Sequence, residues 1–564
     1  MKNFTRILAL VLAMALCLGM LTACGGSTSG DTASADNAAQ PADDTAAHTD
    51  VVFESGTGDA RLAADTTADA DKYGGVMKLN FNAATNSLDP AQFHNNQNYT
   101  PGYHIYESPI QVADDGTVWA SVCTYELSED GLTLTLTVRD NVLFHNGDTV
   151  DINDVVASIN RFLHFSETGM ANFGNYIVNT EISDNSVVYT LSDVAPMALL
   201  TIGELKGGCK VMPAEIAEAH AEDYITADEE IVGTGPYMLE TWNRDVDLTL
   251  TRFEDYVPYE TEGTGPAAAK HAYFDQLYFS VAADQTARTN GMIAGDFDYS
   301  TSCLTDMAPQ MVSSDCWNDM NWNGWSPTIL FNLSDANADS IVNDVNFRKA
   351  VRACMDMTQL MMANKTTSAE YQIDGNPMMP SSPYYNDILV NDYYDLDAAA
   401  QYLEESAYDG QTIRWYCADS DSYYRTALPA SEMLKAIGVD VDLQVVDVNT
   451  YESMYNDPTN SDFDICCRET QKSYIHPLLS QFVSSYALWE CDERTALLET
   501  MGTTAAGSEE SIAAYAQFCQ LVEDEVPYII VGDFGTLCWY SAKMIPDRAG
   551  VDVYWWNSYF TTAE

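Results

Sequence analysis

The chain has 564 residues, of which 84 are acidic and 25 are basic, so its formal net charge at neutral pH is −59. Such a charge repels nucleic-acid phosphates and anionic lipid headgroups and excludes both as binding surfaces. The length exceeds what one hydrophobic core supports, and with 46% hydrophobic residues we expect a folded body of two or three lobes.

The N-terminal residues have the layout of a secretory signal peptide. Basic residues at positions 2 and 6 precede an apolar run, and the run ends in Leu21-Thr22-Ala23-Cys24. This ending resembles a bacterial lipobox, so we expect residues 1–23 to be a cleaved signal peptide and Cys24 to carry a lipid. An uncleaved anchor helix is the alternative, although the apolar run is short for a membrane span of about 20 residues. The predicted location is the outer face of the cytoplasmic membrane, extracellular or periplasmic, with the lipid as the only membrane contact.

The region after the lipobox is predicted to be a linker. Residues 24–73 are rich in Ala, Thr, Asp, Gly and Ser and contain too few apolar residues to fold, so we expect a flexible, solvated tether. The chain has 13 cysteines, and 13 − 2 = 11 remain once Cys17 and Cys24 are assigned to the leader and the anchor. Cys303 and Cys316 are the one pair considered for a disulfide, and a protein with free thiols fits equally well.

The predicted elements follow from hydrophobic periodicity and turn residues. In the first half of the chain they are a strand over 76–81, a strand over 132–138, a helix from a cap at Asp151 to Leu163, and a strand over 246–250. In the second half they are a helix over 347–362, a strand over 413–417, a helix that ends at Ile437, a strand over 439–445, a helix over 512–522 and a strand over 527–531. The strand, helix and strand around Gly438 predict a βαβ unit with parallel strands and a right-handed crossover.

Patterns of known catalytic and metal sites are absent from the sequence. There is no Gly-x-Ser-x-Gly, no His-Glu-x-x-His and no phosphate-binding loop. The eight histidines do not pair at metal-ligand spacing, and His104 is interpreted as a solvated or core residue. We therefore expect no catalytic residue, no metal site and no cofactor.

Several segments that follow one another along the chain carry a family resemblance. They are Ser87-Leu88-Asp89-Pro90; the stretch from Tyr106-Glu107-Ser108 through Leu136-Thr137-Val138-Arg139 and Phe144-His145-Asn146-Gly147 to Asn153-Asp154-Val155-Val156; Gly233-Thr234-Gly235-Pro236-Tyr237; Phe347-Arg348-Lys349-Ala350-Val351; and Ile437-Gly438-Val439 followed by Phe463-Asp464-Ile465. Together they resemble the family 5 extracellular solute-binding proteins, the oligopeptide- and dipeptide-binding class of ABC importers. Each segment encodes scaffold and identifies the family without being the site.

The resemblance implies a mixed α/β fold in which two lobes close on a ligand like a clamshell. This is a periplasmic-binding-protein-like fold of type II, or cluster C, in which a hinge joins the two lobes. A small β-rich domain is expected in addition to the two lobes. The implied boundaries are residues 74–105, 232–325 and 525–564 for a discontinuous domain I, residues 106–231 for domain II and residues 326–524 for domain III.

The resemblance also implies a function. We expect a monomeric substrate-binding lipoprotein that performs no chemistry, captures an oligopeptide, a dipeptide or a similar small polar solute, and delivers it to ABC permease subunits and their ATPases. A secreted hydrolase that cleaves glycans or peptides with a pair of carboxylates is the alternative. An adhesion or signalling receptor on the same scaffold is a third possibility.

The ligand site departs from the family pattern at one position. Peptide-binding members place an aspartate there to pair with the α-amino group of the peptide, and Ser473 occupies it here, with Thr470 at the usual aromatic position. A buried ammonium without a carboxylate is costly. Either Glu469 substitutes, or the ligand lacks a free amine and Arg468 and Lys472 face a carboxylate on it.

The remaining candidate ligand-binding residues are placed by their position in the family pattern. They are Phe93, His94, Asn95, Asn96, Tyr299, Thr301, Trp322 and Trp325. The tryptophans are expected either to stack on sugar rings or apolar side chains of the ligand or to pack in the core of a lobe.

Overall fold

A computed structural model describes residues 65–561 except 302, 323, 366, 392, 420, 456, 458, 484–487 and 548–553, and it leaves the side chains of 421 and 449 undescribed. The predicted signal peptide, the lipidation site Cys24 and residues 24–64 of the predicted linker lie outside the described residues. Over the described ranges, no helix combines the length and the apolar character needed to cross a membrane.

The described residues form the following strands and α-helices. The strands are β1 (Val76–Phe81), β2 (Ile110–Val112), β3 (Val118–Ala120), β4 (Cys123–Leu127), β5 (Thr133–Val138), β6 (Ile177–Ser183), β7 (Ser186–Leu191), β8 (Tyr237–Asn243), β9 (Asp247–Arg252), β10 (Gln276–Val281), β11 (Tyr299–Thr301), β12 (Trp317–Trp322), β13 (Trp325–Phe331), β14 (Tyr371–Gln372), β15 (Ile413–Ala418), β16 (Val441–Val446), β17 (Ile465–Gln471), β18 (Tyr528–Ile530), β19 (Asp533–Tyr540), β20 (Met544–Ile545) and β21 (Tyr559–Phe560). The helices are α1 (Asn96–Ile105), α2 (Ile152–Phe165), α3 (Glu167–Asn172), α4 (Ala198–Gly203), α5 (Ala214–Ala219), α6 (Gln285–Ala294), α7 (Ala308–Ser313), α8 (Val345–Cys354), α9 (Met357–Asn364), α10 (Leu396–Glu405), α11 (Asp421–Ala436), α12 (Val448–Tyr455), α13 (Asp492–Thr503) and α14 (Glu509–Glu525).

The described residues contain three large sheets, and we name each one after the predicted domain that holds most of its strands. The sheet of domain I has the strand order β12-β19-β11-β1-β10-β9-β8, and β1 runs parallel to both of its neighbours. The sheet of domain II is antiparallel with the order β4-β5-β7-β6, and the sheet of domain III has the order β16-β15-β17-β13-β18. This organisation confirms the predicted mixed α/β class.

Domain II shows how alternation and capping in the sequence produce its strands and helix. In β5, Leu134, Leu136 and Val138 are buried, whereas the threonines between them are partly exposed. Asp151 caps α2, and Asp154 closes a capping box by accepting the backbone N–H of Asp151. Both predicted elements are confirmed.

The predicted βαβ unit is also present. Strands β15 and β16 pair in parallel, with Ile413 opposite Val441, and α11 connects them. Gly438 has a φ of 96°, a left-handed conformation that suits glycine at the end of a helix.

The prediction of a single helix over 347–362 is wrong, because two helices, α8 and α9, occupy this stretch. The chain leaves the helical conformation at Met355, and the carboxylate of Asp356 accepts the N–H of Gln359 and begins a new helix. An apolar pattern that continues through the break does not reveal the cap.

The predicted domain boundaries stay a prediction, and two strands pair across them. Strand β18, placed in domain I by the prediction, pairs with β13 in the sheet of domain III. Strand β14, placed in domain III, pairs with β19 of domain I. Packing also begins upstream of the predicted start at residue 74, because the hydroxyl of Tyr559 donates to Asp65 at 2.8 Å and the Lys72 ammonium lies 4.8 Å from the Tyr559 ring centroid.

The motifs that carry the family resemblance join parts of the scaffold. Asp89 forms a two-pronged ion pair with Arg161 of α2, at 2.8 and 2.7 Å, and so ties domain I to domain II. Gly233 and Gly235 pass directly against the end of α1, where a Cβ atom would overlap backbone carbonyl oxygens. Asp464 accepts two hydrogen bonds from the guanidinium of Arg414, at 2.9 and 2.7 Å, inside domain III.

The described cysteines are free thiols, and all but Cys491 are buried. The pair considered for a disulfide is not bonded: Cys303 Sγ donates to Ser300 Oγ at 3.4 Å, and Cys316 Sγ donates to the carbonyl of Met292 at 3.5 Å. The thiols therefore serve as small packing groups. Burial raises the pKa of Cys466 to about 12.

Two stretches of chain connect domains I and III, one from β12 to β13 and one from β18 to β19, and we call them the passages. A buried ion cluster lies between these two passages. The ammonium of Lys472 lies 2.7 Å from Asp533 and 3.2 Å from Asp374, and the Lys472 side chain is 0% exposed. Its backbone N–H donates to the carbonyl of Gly324, and Ser326 Oγ donates to Asp533 at 2.7 Å. Both passages are thereby fastened to one residue.

His104 fastens the C-terminal segment to α1. The backbone N–H of Trp555 donates to His104 Nε2 at 2.9 Å, and Nδ1 donates to the carbonyl of Thr100 at 2.7 Å. Burial lowers the pKa of His104 to about 3, so the ring is neutral in the folded protein well below neutral pH.

Replacing the cation of the cluster should destabilise the fold strongly. Lys472→Met leaves two buried carboxylates without their cation, and we expect a loss of about 3–5 kcal/mol in the free energy of unfolding, measured by urea titration. Lys435→Met is the matched control, because Lys435 pairs with Glu432 on the surface of α11 and such pairs contribute less than about 1 kcal/mol. Equal urea midpoints for the two variants would contradict this role of Lys472.

The buried imidazole should make stability depend on pH. Below about pH 6.5 the unfolded chain protonates His104 but the folded chain does not until about pH 3, so stability is lost as the pH falls through this window. In His104→Gln the slope of unfolding free energy against pH between 6 and 4 should be smaller than in the parent by up to about 1.4 kcal/mol per pH unit. Urea titrations at several pH values measure the slope, and identical slopes would refute the prediction.

Candidate functional site

A cavity lies at the carboxyl ends of the parallel strands β1 and β11, beside the passage from β12 to β13. It encloses about 1040 Å³, part of it open to solvent. We call it the first cavity, and its lining residues are Leu79, Asn80, Phe81, Asn82, Asn96, Gln97, Tyr99, Thr100, Tyr103, Lys206, Tyr299, Thr301, Asn321, Trp325, Thr536, Cys538 and Trp555. The ends of parallel strands are the usual place for a ligand in open α/β sheets.

Amide side chains on the wall of the first cavity are held by one another and by the backbone. Gln97 Nε2 donates to Asn82 Oδ1 at 2.6 Å, and Asn80 Nδ2 donates to the carbonyl of Tyr299 at 3.4 Å. Ser300 Oγ donates to Asn80 Oδ1 at 3.2 Å. Amide groups of this kind both donate and accept hydrogen bonds, as the peptide backbone does.

Aromatic rings form the rest of the wall. Tyr299 and Trp555 meet edge to face with ring centroids 4.5 Å apart, and Tyr99 and Tyr103 stack at 5.3 Å. Tyr299 is buried, and its hydroxyl contacts Cys538 Sγ at 3.3 Å. Burial raises the pKa of the Tyr299 hydroxyl, which therefore stays neutral.

The first cavity differs in charge from the chain as a whole. None of its described lining residues is Asp or Glu, although the chain contains 84 acidic residues. Lys206 is the charged residue of the wall, and its ammonium lies 5.6 Å from the Tyr99 ring centroid. The wall therefore suits neutral polar or anionic groups and offers no countercharge to a cation.

The structure brings four of the predicted site residues together in this wall: Asn96, Tyr299, Thr301 and Trp325. Sequence reasoning missed Asn82, Gln97, Lys206 and Trp555, among others. The ends of β1 and β11 carried a usable signal, because neighbouring parallel strands bring their carboxyl ends to one edge. Lys206 and Trp555 had no such signal, since each reaches the cavity from a distant part of the chain.

Other predicted residues lie elsewhere. Phe93 and His94 line a second cavity, between domains I and II. Asn95 caps α1, with its side chain accepting the N–H of Asn98. Trp322 ends β12 half-buried, opposite Gly535 of β19.

Three predicted residues lie on β17. Arg468 is half-buried with its guanidinium 4.3 Å from the Tyr455 ring centroid, and Thr470 is buried. Glu469 is half-buried near Lys365, whose ammonium lies 4.3 Å from the Phe534 ring centroid. Burial lowers the pKa of Lys365, and the charges of Glu370 and Glu469 act in the opposite direction. Ligand contact by these β17 residues stays a prediction.

Lys472 and Ser473 are occupied by the protein itself. The ammonium of Lys472 is enclosed between two carboxylates, so it is not presented to a ligand carboxylate as we had expected. Ser473 is buried, and its hydroxyl accepts the backbone N–H groups of Ile475 and His476. Both residues shape the turn after β17.

Metal chemistry finds no support in the part of the chain that the structure describes, where no group of three or more His, Cys, Asp or Glu residues is placed to hold an ion. The first cavity instead combines hydrogen-bonding amides with aromatic faces. Such a wall can bind and orient a polar molecule.

The family of bacterial extracellular solute-binding proteins, family 5 (middle), matches residues 111–486.

Among curated proteins, the chain is 21% identical over 403 residues to the probable D,D-dipeptide-binding periplasmic protein DdpA of Escherichia coli, covering 70% of this chain and 74% of DdpA. It is 21% identical to the dipeptide-binding protein DppE of Bacillus subtilis, covering 51% of this chain and 52% of DppE.

Solved structures show the same fold. The substrate-binding protein CtaP of Listeria monocytogenes superposes with a TM-score of 0.72 at 19% identity, covering 87% of this chain and all of CtaP. DppA of Helicobacter pylori, solved in complex with a peptide, superposes with a TM-score of 0.68 at 18% identity, covering 87% of this chain and 99% of DppA. These likenesses confirm the predicted two-lobed clamshell.

Because the family match extends over more than half of its length, the chain belongs to the bacterial extracellular solute-binding proteins of family 5, which are transport binding proteins and not enzymes.

Proposed function

We propose that the chain is the substrate-binding lipoprotein of an ABC importer. It captures an oligopeptide, a dipeptide or a similar small polar solute between its lobes and delivers the solute unchanged to the permease. The first cavity carries this proposal, because it combines amide side chains with aromatic faces beside the passage between the lobes.

The chemistry of the wall matches an extended peptide or another solute rich in hydrogen-bonding groups. Asn82 and Gln97 offer donors and acceptors, and bridging waters can fill gaps around different side chains, which favours tolerance of ligand sequence. Trp325 and Tyr299 offer rings against which apolar parts of the ligand can pack.

The charge of the wall limits which end of the ligand faces it. An ammonium placed there would meet Lys206 and no carboxylate of the wall. We therefore propose that the ligand presents a neutral or an acidic group to the first cavity, and that any free amine is received on the β17 side, where Glu469 lies.

Trp325 should be needed for retention of the solute. Native mass spectrometry of the purified protein should show one small molecule per chain, with an unchanged mass after prolonged incubation. Trp325→Ala removes a ring from the wall and should reduce the bound fraction, corresponding to about tenfold weaker binding. Trp242→Ala, in β8 and outside the wall, is the matched control and should keep the parent level.

Two outcomes would contradict this proposal. Retention by Trp325→Ala at the parent level would place the site elsewhere. Conversion of the bound molecule during incubation would favour the hydrolase alternative.

Cys24 is the proposed lipid attachment site. Cys24→Ala removes the thiol that receives the lipid, so the protein should move from the membrane fraction to the soluble fraction on cell fractionation, detected by immunoblot. Cys491→Ala, which alters a partly exposed thiol of the folded body, is the control and should remain with membranes. Persistence of Cys24→Ala in the membrane fraction would refute the lipid anchor.

A further inference from the structure

The second cavity lies in the seam between domains I and II. It is enclosed by residues 90–94, by α2 and by the loop 206–212, and it shares only Lys206 with the lining of the first cavity. Its space is about 660 Å³, part of it open to solvent.

The wall of the second cavity is held in place by buried polar contacts. Besides its ion pair with Asp89, Arg161 donates to the backbone carbonyls of His220 and Asp223 at 2.8 and 3.1 Å. Ser158 Oγ accepts the N–H of Met212 at 3.0 Å. The cavity therefore has a fixed shape that does not need a ligand to form.

One side of the second cavity is apolar. Phe162 and Phe165 line it and remain half-buried, and Phe93 and Met212 complete the surface. Ring surface left accessible to water is available for burial by a ligand, at about 25 cal/mol for each square ångström covered.

The lining of the second cavity also includes two lysines, Lys206 and Lys210. Lys210 is buried, and its ammonium donates to three neutral oxygens: Ser108 Oγ at 3.1 Å and the carbonyls of Glu204 and Gly208 at 3.2 and 3.1 Å. Among the described residues, no carboxylate lies within ion-pair distance of this ammonium. Burial lowers the pKa of Lys210 to about 8, which leaves the group mostly charged at neutral pH.

Negative charge is lacking on this wall. None of the described lining residues is Asp or Glu, and the charge of the nearby Asp89 is balanced by Arg161. Glu204 acts on Lys210 from beyond ion-pair distance, and its charge raises the pKa of Lys210 against the larger effect of burial. A buried cation without a countercharge is unfavourable, and a bound anion would offset that cost. The combination of half-buried rings with lysines and no acidic residue in the lining fits a molecule that is both apolar and anionic.

We propose that the second cavity is a separate binding site for a small amphipathic anion, a monocarboxylate whose short apolar chain lies on Phe162 and Phe165 and whose carboxylate faces Lys210. This site is distinct from the first cavity and from the solute proposed for it.

Calorimetric titration of the purified mature protein with octanoate tests the site. We expect one octanoate per chain, with binding about tenfold weaker for the neutral analogue 1-octanol and weaker still for octyltrimethylammonium. In Lys210→Met the difference between octanoate and 1-octanol should become smaller, because the variant removes one of the two lysine charges of the wall and keeps most of the side-chain volume.

Cavity-filling variants locate the probe. Ala91 lines the second cavity, and Ala91→Trp should fill it and weaken octanoate binding at least tenfold, whereas Ala91→Ser should bind as the parent does. Should Ala91→Trp fail to fold, Phe162→Ala gives the second test and is expected to weaken binding about tenfold. Trp325→Ala, in the first cavity, should leave octanoate binding unchanged.

Three results would overturn the proposal. The first is absence of octanoate binding to the parent protein. The second is equal affinity for the anionic, neutral and cationic probes. The third is loss of octanoate binding in Trp325→Ala with retention in Ala91→Trp or Phe162→Ala, which would place the probe in the first cavity.

Discussion

The passages between domains I and III meet at one buried ammonium, and the geometry of the clamshell depends on that contact. Lys472 holds Asp533, the first residue of β19, through its side chain, and it holds Gly324, just before β13, through its backbone. Because these charges have left water, the cluster is favourable only while all its members stay in place. Because the cluster contacts both passages, it fixes the spacing between them.

The distribution of charge is the second organising feature. The chain carries a net charge of −59, yet neither cavity wall contains an acidic residue among its described members. The described acidic residues therefore lie outside the walls of these two cavities. Global charge keeps copies of the protein apart in solution, whereas the cavities are shaped by a few local groups such as Lys206 and Lys210.

Much of the fold could be predicted because its elements follow local patterns. The alternation in β5, the cap at Asp151 and the glycine at 438 are each written into a few adjacent residues, and each formed as expected. The break between α8 and α9 was missed because the apolar spacing runs through it. The family motifs proved to be joints of the scaffold, since Asp89 finds its partner Arg161 in another domain.

The candidate site could be predicted only in part, for a physical reason. Tyr299, Thr301 and Trp325 lie at the ends of strands and Asn96 is the first residue of α1, so their position along the chain was informative. Lys472 was expected to face a ligand because the residues next to it in the sequence do not reveal its ion-pair partners. One of these partners, Asp374, lies 98 positions away along the chain. Whether a charged residue near a motif binds a ligand or forms a buried ion pair can be decided only when its partners from distant parts of the chain are known.

The free thiols have a practical consequence. Buried sulfhydryls are distributed over every domain, for example Cys123 and Cys209 in domain II, Cys538 in domain I and Cys466 and Cys467 in domain III. A buried, protonated thiol reacts with an alkylating reagent only when its surroundings open. The alkylation rate of each native cysteine, resolved by peptide mapping, would therefore measure how often its domain opens. The measurement needs no engineered cysteine.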